Sequence, residues 1–268
     1  MAVGSLCQRG GASCGACCGL YNREDFSRPA LRALLSRRTR ALATTPRTKE
    51  AFAAAARALA RDDAAPLFPS VRVCPLLGFL DAEETRIGCL AHPLSTGGID
   101  LRDCGVYDVG ICSSFFCPSH AWLTDDEAAI AARACDDFYL YGLVVTDVPF
   151  LRACLAAVAA EAGARVELRH VEEPRFRGAL RGLLAVKEEL APGSDGLYGA
   201  FEPGTDGEPV PRAIDYEAHG RARPAGSWLD EILTCAGADP RSGNDLDRLE
   251  ELVRARLAVA VAAMPGRA

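Results

Sequence analysis

Apolar residues recur at helical spacing through most of the second half of the chain. The stretch TDDEAAIAARACDDFYLYGLVV opens with Thr124 and has Glu127 three residues later, which is the pattern of a capping box at a helix N-terminus. Further helices are predicted at about 147–162, 174–190, 227–236 and 245–262. Residues 191–227 hold seven glycines and five prolines, which predicts a long loop or a β-hairpin with turns.

A helical hairpin is predicted near the start of the chain. Its first helix is indicated by four leucines at helical spacing, Leu31, Leu34, Leu35 and Leu42. Ser27 is the candidate N-cap of that helix. A second helix is predicted over 46–60 with Thr45 as its cap, so that the hairpin covers about 27–62.

The rest of the first half has little regular periodicity. Residues 1–20 are rich in glycine and cysteine, and residues 66–119 combine prolines and glycines with five cysteines. This texture predicts loops and short strands organised around ligated metal rather than a large apolar core. The expected fold class is mainly α, with an irregular cysteine-rich metal-binding region of loops and short strands. We expect two regions, a cysteine-cluster region at 1–120 and a mostly helical region at 121–268.

Charge and hydropathy narrow the classes of partner. The net charge is −6, yet residues 21–61 carry ten Lys/Arg against three Asp/Glu. This basic segment lacks the interleaved aromatic residues of a nucleic-acid stacking platform, so a protein partner is the alternative to a plain solvated helix face. No apolar run approaches the roughly 20 residues of a membrane span, and no secretory signal precedes the first cysteines. We therefore expect no membrane partner and a cytoplasmic location, where dense cysteines favour metal or redox chemistry over disulfides.

Three cysteines fall within five positions in SCGACC, at Cys14, Cys17 and Cys18, and Cys7 precedes them. The two-residue spacer between Cys14 and Cys17 suits two thiolates that bind one metal ion. The adjacent pair Cys17 and Cys18 is harder to place on one ion, because consecutive side chains diverge by about 100° in a helix and about 180° in a strand. Two metal ions, or a cluster with several iron atoms, would use both sulfurs more easily.

A second group of cysteines follows the hairpin, at Cys74, Cys89, Cys112 and Cys117. Thiolates select zinc, Cu(I) or iron–sulfur clusters, and eight of them would fill two four-cysteine sites or one polynuclear centre.

Several other residues of the same types are left outside this predicted ligand set. Cys104, His92 and His120 lie beside the second group without an assigned role. The remaining cysteines fall within predicted helices and are expected to fill the core: Cys135, Cys154 and Cys235.

The motifs CQRGGASCGACC, CPLLGFLD, IGCLAHP and DVGICSSFFC together resemble the bacterial cysteine-cluster proteins described as zinc- or iron-chelating domains, the CxxCxxCC family. The resemblance covers roughly residues 7–118. The chain departs from that family's pattern where the leading cysteine would fall at Gly11, so that Cys7 takes its role, and where YDVGIC replaces an Arg-Pro element. Flagellin lysine methylases have a related cysteine arrangement, which implies iron–sulfur chemistry as one use.

We expect a metal-binding protein that holds zinc or an iron–sulfur cluster. The predicted ligands are Cys7, Cys14, Cys17, Cys18, Cys74, Cys89, Cys112 and Cys117. The alternatives are an iron–sulfur-dependent enzyme, of a protein methyltransferase-like or redox type, and a zinc-stapled interaction module. The chain contains no H-E-x-x-H, P-loop or dinucleotide fingerprint, and no catalytic residue is assigned.

Overall fold

A computed structural model describes residues 5–63, 65–190, 199–224 and 228–266. It is mainly helical, as the sequence pattern predicted. The helices of the described residues are α1 (Arg28–Ala43), α2 (Lys49–Arg61), α3 (Pro93–Thr96), α4 (Val109–Ser114), α5 (Pro118–Trp122), α6 (Asp125–Ala134), α7 (Phe138–Val145), α8 (Val148–Ala162), α9 (Leu168–Glu172), α10 (Pro174–Leu184), α11 (Val186–Leu190), α12 (Trp228–Cys235) and α13 (Gly243–Ala263).

The predicted helical hairpin is present as α1 and α2. Ser27 occupies the N-cap position of α1, as expected, although its side chain makes no capping hydrogen bond there. The predicted start of the second helix was wrong. It begins at Lys49 because the side chain of Thr48 accepts a hydrogen bond from the amide of Ala51, so Thr48, and not Thr45, is the cap.

The stretch that opens with the capping box forms two helices. The reciprocal hydrogen bonds of Thr124 and Glu127 are both made, so the predicted start of α6 is confirmed. The chain then leaves the helix at Cys135 and starts α7 with a new cap, Asp137, whose carboxylate accepts from the amides of Tyr139 and Leu140. Asp137 of CDD is therefore a capping signal that a purely hydrophobic pattern does not detect.

Short strands and short helices make up the irregular region. Strands β1 (Leu77–Phe79) and β2 (Ile87–Cys89) pair antiparallel, with Leu77 opposite Cys89. Helices α3, α4 and α5 lie in the same region, which the sequence predicted as loops and strands alone. In the glycine- and proline-rich stretch, β3 (Phe201–Pro203) and β4 (Pro209–Pro211) form the predicted hairpin, while 191–198 and 225–227 lie outside the described residues.

The largest buried cluster joins the N-terminal segment to the helical body. It includes Leu20 and Tyr21 together with α6, α7, α8, α10, α12 and α13. The Tyr21 hydroxyl donates towards the carbonyls of Phe138 and Tyr139 at 3.1 and 3.2 Å, and it lies where a side chain at Gly142 would have to be. A smaller cluster packs the hairpin against Leu76 and the second cysteine group. The division of the chain at residue 120 stays a prediction.

Several charged side chains of the basic segment 21–61 form ion pairs within the chain. Arg28 forms ion pairs with Asp137 and Glu188, and Arg32 pairs with Glu84. The segment thus holds the hairpin against more acidic parts of the fold, and its binding of a protein partner stays a prediction. None of the described helices is by itself long and apolar enough to cross a membrane; α7 and α8 reach that length and composition only as a pair bent by 92°.

Candidate functional site

Two 3₁₀ turns position the cysteines of the N-terminal segment. The first, Leu6–Gln8, is capped by the hydroxyl of Ser5, which accepts a hydrogen bond from the amide of Cys7. The amide of Cys14 then donates to the carbonyl of Cys7 at 3.1 Å, so these two residues lie side by side although seven positions separate them.

The second turn, Ala16–Cys18, explains how the chain uses two adjacent cysteines. A 3₁₀ helix has three residues per turn, so consecutive side chains leave it about 120° apart. Gly19 ends the turn in the left-handed conformation with φ 74°, and its Cα faces the backbone of Val73 so closely that a Cβ would lie 2.9 Å from the Cα of Val73. The turn therefore directs Cys17 and Cys18 into different surroundings.

Cys17 lies among Cys7, Cys14 and Cys117, and we call these four residues the first thiol set. Hydrogen bonds from the Cys17 thiol are the main cause that lowers the pKa of Cys7 to about 7 and the pKa of Cys117 to about 6. The same bonds raise the pKa of Cys17, which keeps its proton. Burial raises the pKa of Cys14, and the nearby charges of Cys7 and Cys117 raise it further. These four sulfurs thus compete for protons, as expected of thiols gathered in one place.

Cys18 lies among Cys74, Cys89 and Cys112, and we call these four residues the second thiol set. Burial raises the pKa of Cys18 well above its ordinary value, and the charges of Cys74 and Cys89 are the next causes, followed by those of Cys7 from the first set and of Cys112. Burial likewise raises the pKa of Cys89 to about 12 and raises that of Cys112, with Cys74 a further cause for both. The amide of Cys74 donates to the carbonyl of Cys18 at 2.9 Å, which joins the two chain segments beside these sulfurs.

Two residues beside the second thiol set were not singled out from the sequence. The positive charge of Arg102 counteracts the rise of the pKa of both Cys89 and Cys112, and its guanidinium also holds Asp100 at 2.6 Å. Tyr107 is half-buried, and burial followed by the charge of Cys18 raises its pKa. Both flank Cys104 in DLRDCGVYD, where no spacing rule marks them.

The side chains of the unassigned residues have partners outside both sets. The sulfur of Cys104 contacts the carbonyl of Lys49 at 3.4 Å, and its charged neighbours are Lys49, Asp103 and Glu50. His92 caps α3 through Nδ1, which accepts from the amide of Leu94, and the ring of His120 packs on Phe116 with centroids 4.7 Å apart. The three cysteines predicted to fill the core are buried, as expected: Cys135, Cys154 and Cys235.

The side chains do not already form a coordination sphere. Across residues 5–63, 65–190, 199–224 and 228–266, no group of three or more His, Cys, Asp or Glu is arranged so that it could hold a metal ion. The eight cysteines are neighbours through hydrogen bonds and charge, which is a weaker relation than shared coordination. Their assignment as metal ligands stays a prediction.

A mostly apolar cavity of about 470 Å³ opens beside the first thiol set. Cys17 and Cys117 form part of its wall, and aromatic side chains supply much of the remainder. The aromatic residues are Tyr107, Phe115, Trp122 and Phe201. Phe115 of the FFC segment and Trp122 of the PSHAW segment thus lie beside an opening, a role that the sequence pattern did not indicate.

Comparison with known proteins adds no relative to this picture. No family model matches the chain, and neither the curated proteins nor the solved structures include a significant match. The resemblance to the CxxCxxCC proteins therefore depends on the quoted motifs alone.

Proposed function

We propose that the chain is a metal-binding protein whose two thiol sets each hold zinc or an iron–sulfur cluster. The observation that carries this proposal is the division of the eight predicted ligands into two sets of four, with the adjacent pair Cys17 and Cys18 split between them. Four thiolates are the donor set of structural zinc sites and of common iron–sulfur clusters.

The protonation of the first thiol set also supports metal binding. Cys7 and Cys117 have lowered pKa values, while Cys17 retains the proton that they share. A bound cation would take the place of that proton and favour thiolate at every sulfur, because a coordinating thiol is deprotonated. The sulfurs would need to move closer together for coordination, and binding energy would drive that movement.

The metal would join parts of the chain that lie far apart in sequence. Cys7, Cys14 and Cys17 would hold the first metal with Cys117, and Cys18 would hold the second with residues 74–112. Zinc at these sites would have a structural role, whereas an iron–sulfur cluster would supply electron transfer or a catalytic metal. The reducing cytosol expected for this chain would keep the thiols available for either.

A second candidate function is an enzyme that acts at the first thiol set. The apolar cavity beside Cys17 and Cys117 favours it, because a purely structural site has no use for an adjoining ligand-sized space. The third alternative, a zinc-stapled interaction module, has no comparable observation in its favour.

The test is elemental analysis and an ultraviolet–visible spectrum of protein purified without oxygen. We expect either colourless protein with about two zinc ions per chain, or brown protein with iron and acid-labile sulfide. Cys17→Ser and Cys18→Ser should each remove about half of the metal, since each variant disables one set of four ligands. Cys104→Ser is the matched control and should keep all of it. Metal-free protein with its cysteines paired as disulfides would overturn the proposal.

A further inference from the structure

The cavity beside the first thiol set gives a small molecule access to that set and not to the second set. Of the described residues that line it, Cys17 and Cys117 belong to the first set, and none belongs to the second. Any molecule in this space would touch the sulfur atoms or metal of one set while the other set stays out of reach. The cavity volume of about 470 Å³ falls within the range of small-molecule sites.

The wall of the cavity offers no free positive charge to an occupant. Its lining includes no lysine or arginine among the described residues, and its one carboxylate is that of Asp147. That carboxylate is already satisfied, because Oδ2 pairs with the Lys187 ammonium at 2.5 Å and Oδ1 accepts from the amide of Phe150. An anionic ligand would lose its hydration there without gaining an opposite charge, so the lining favours uncharged molecules over anions.

Large aromatic side chains stand at the mouth of the cavity with much of their surface exposed. Phe115 is 57% exposed and Trp122 is 62% exposed, and both line the cavity. The carbonyl of Trp122 accepts a hydrogen bond from Arg152 at 2.6 Å, which fixes the end of α5 that carries this ring. Exposed rings held in place around an apolar space are suited to stack on another ring and to lose their contact with water when they do so.

We propose that this cavity binds an uncharged, apolar, ring-containing small molecule that lies against Cys17 and Cys117. Such a molecule would stack on Trp122 and Phe115 and reach the first thiol set with its inner edge. The inference rests on the proposed function only for what the sulfurs hold, since the cavity and its lining are independent of the metal. It assigns ligand contact to the first set and leaves the second set as the structural one.

The test uses N-phenyl-1-naphthylamine, an uncharged aromatic probe that fluoresces in apolar surroundings, with the protein as purified and its metal content measured on the same sample. We expect saturable binding at one site. Phe115→Ala and Trp122→Ala should each weaken it about ten-fold, because each removes a stacking ring. Phe116→Ala is the matched control: this neighbour is 61% exposed but does not line the cavity, and its removal should leave affinity unchanged. The sulfonated analogue 1-anilinonaphthalene-8-sulfonate should bind more weakly than the uncharged probe.

The outcomes separate this inference from the proposed function. Absence of probe binding, or equal weakening by Phe116→Ala, would overturn the inference, and the measured metal content would still judge the metal sites by itself. Tighter binding of the sulfonated probe would also overturn it, since the lining would then not discriminate against negative charge. Saturable binding with the expected order of variants in metal-free protein would support the cavity and contradict the metal proposal.

Discussion

A buried ion pair under the cavity offers the sharpest test of how the helical body is held together. Lys187 and Asp147 are 1% and 4% exposed, and their charged atoms are 2.5 Å apart. The Lys187 ammonium also donates to the carbonyl of Cys235 at 2.7 Å and lies 5.0 Å from the centre of the Phe150 ring. The backbone at Gly199 covers the pair so closely that a Cβ there would collide with both charged groups.

The expected cost follows from comparing attraction with desolvation. At an effective dielectric constant of about 20, two unit charges at this separation attract by about 7 kcal/mol. Removal of both from water costs several kcal/mol for each ion, so the net contribution of the intact pair is small. Lys187→Met removes the attraction and leaves Asp147 buried and uncompensated. We therefore expect it to lower the free energy of unfolding by about 3–5 kcal/mol.

A double-mutant cycle in urea, followed by far-ultraviolet circular dichroism, measures this. Asp147→Asn keeps a side-chain oxygen for the Phe150 amide, and the double variant with Lys187→Met should cost at least about 1 kcal/mol less than the sum of the single variants. Arg133→Met is the matched control, since its pair with Glu172 is 47% and 54% exposed, and it should cost no more than about 0.5 kcal/mol. A cost below about 1 kcal/mol for Lys187→Met, or strict additivity in the cycle, would refute the reasoning.

Three further outcomes are expected. Gly19→Ala should lower the melting temperature measured by calorimetry and reduce the metal content. The φ of 74° at Gly19 and the close backbone of Val73 leave no room for a Cβ at the turn that directs the adjacent cysteines. A variant with unchanged melting temperature and metal content would contradict this. Burial opposes the ionisation of Asp137, yet hydrogen bonds from two arginines lower its pKa overall. The contribution of Asp137 to stability is therefore complete above the ordinary carboxyl pKa and is lost as the pH falls through the lowered pKa. In urea unfolding measured at a series of pH values, Asp137→Asn should lessen the fall of the free energy of unfolding at acid pH. An unaltered fall would exclude this carboxylate as its cause. Removal of metal with a chelator should make residues 5–122 more susceptible to proteolysis while α8 and α13 stay protected, and equal loss of both would show that the metal supports the whole fold.

Local hydrophobic spacing predicted most of the helices, and the boundaries that were missed depend on polar caps and ion pairs. The capping box at Thr124 and the spacing of the leucines in α1 are confirmed because both depend on residues a few positions apart. The break before α7 depends on Asp137, which Arg28 and Arg181 hold from positions more than 40 residues away. A hydrophobic pattern contains no trace of those ion pairs.

The candidate site shows the same limit. The sequence singled out eight cysteines and noted that Cys17 and Cys18 would be difficult to place on one metal ion. It could not assign Cys117 to the N-terminal cysteines, because that neighbourhood forms only when α5 packs beside the Ala16–Cys18 turn. The cavity was equally beyond prediction, since its lining comes from six separate stretches of the chain.

The position of the thiol sets indicates why this chain would need metal at all. Residues 5–122 contribute a small second cluster, in which Leu42, Phe52 and Leu76 are among the larger side chains, and only part of the main core. The chain enters this region with Cys7 and leaves it near Cys117, and both residues belong to the first set. A metal there would close a loop of about 110 residues. A cross-link that closes so long a loop stabilises the folded state by several kcal/mol, because it lowers the conformational entropy of the unfolded chain. The second set would join the Ala16–Cys18 turn to β2 and α4 inside that loop. Two metal sites would thus add, by cross-linking, to the stability that this irregular region obtains from burial.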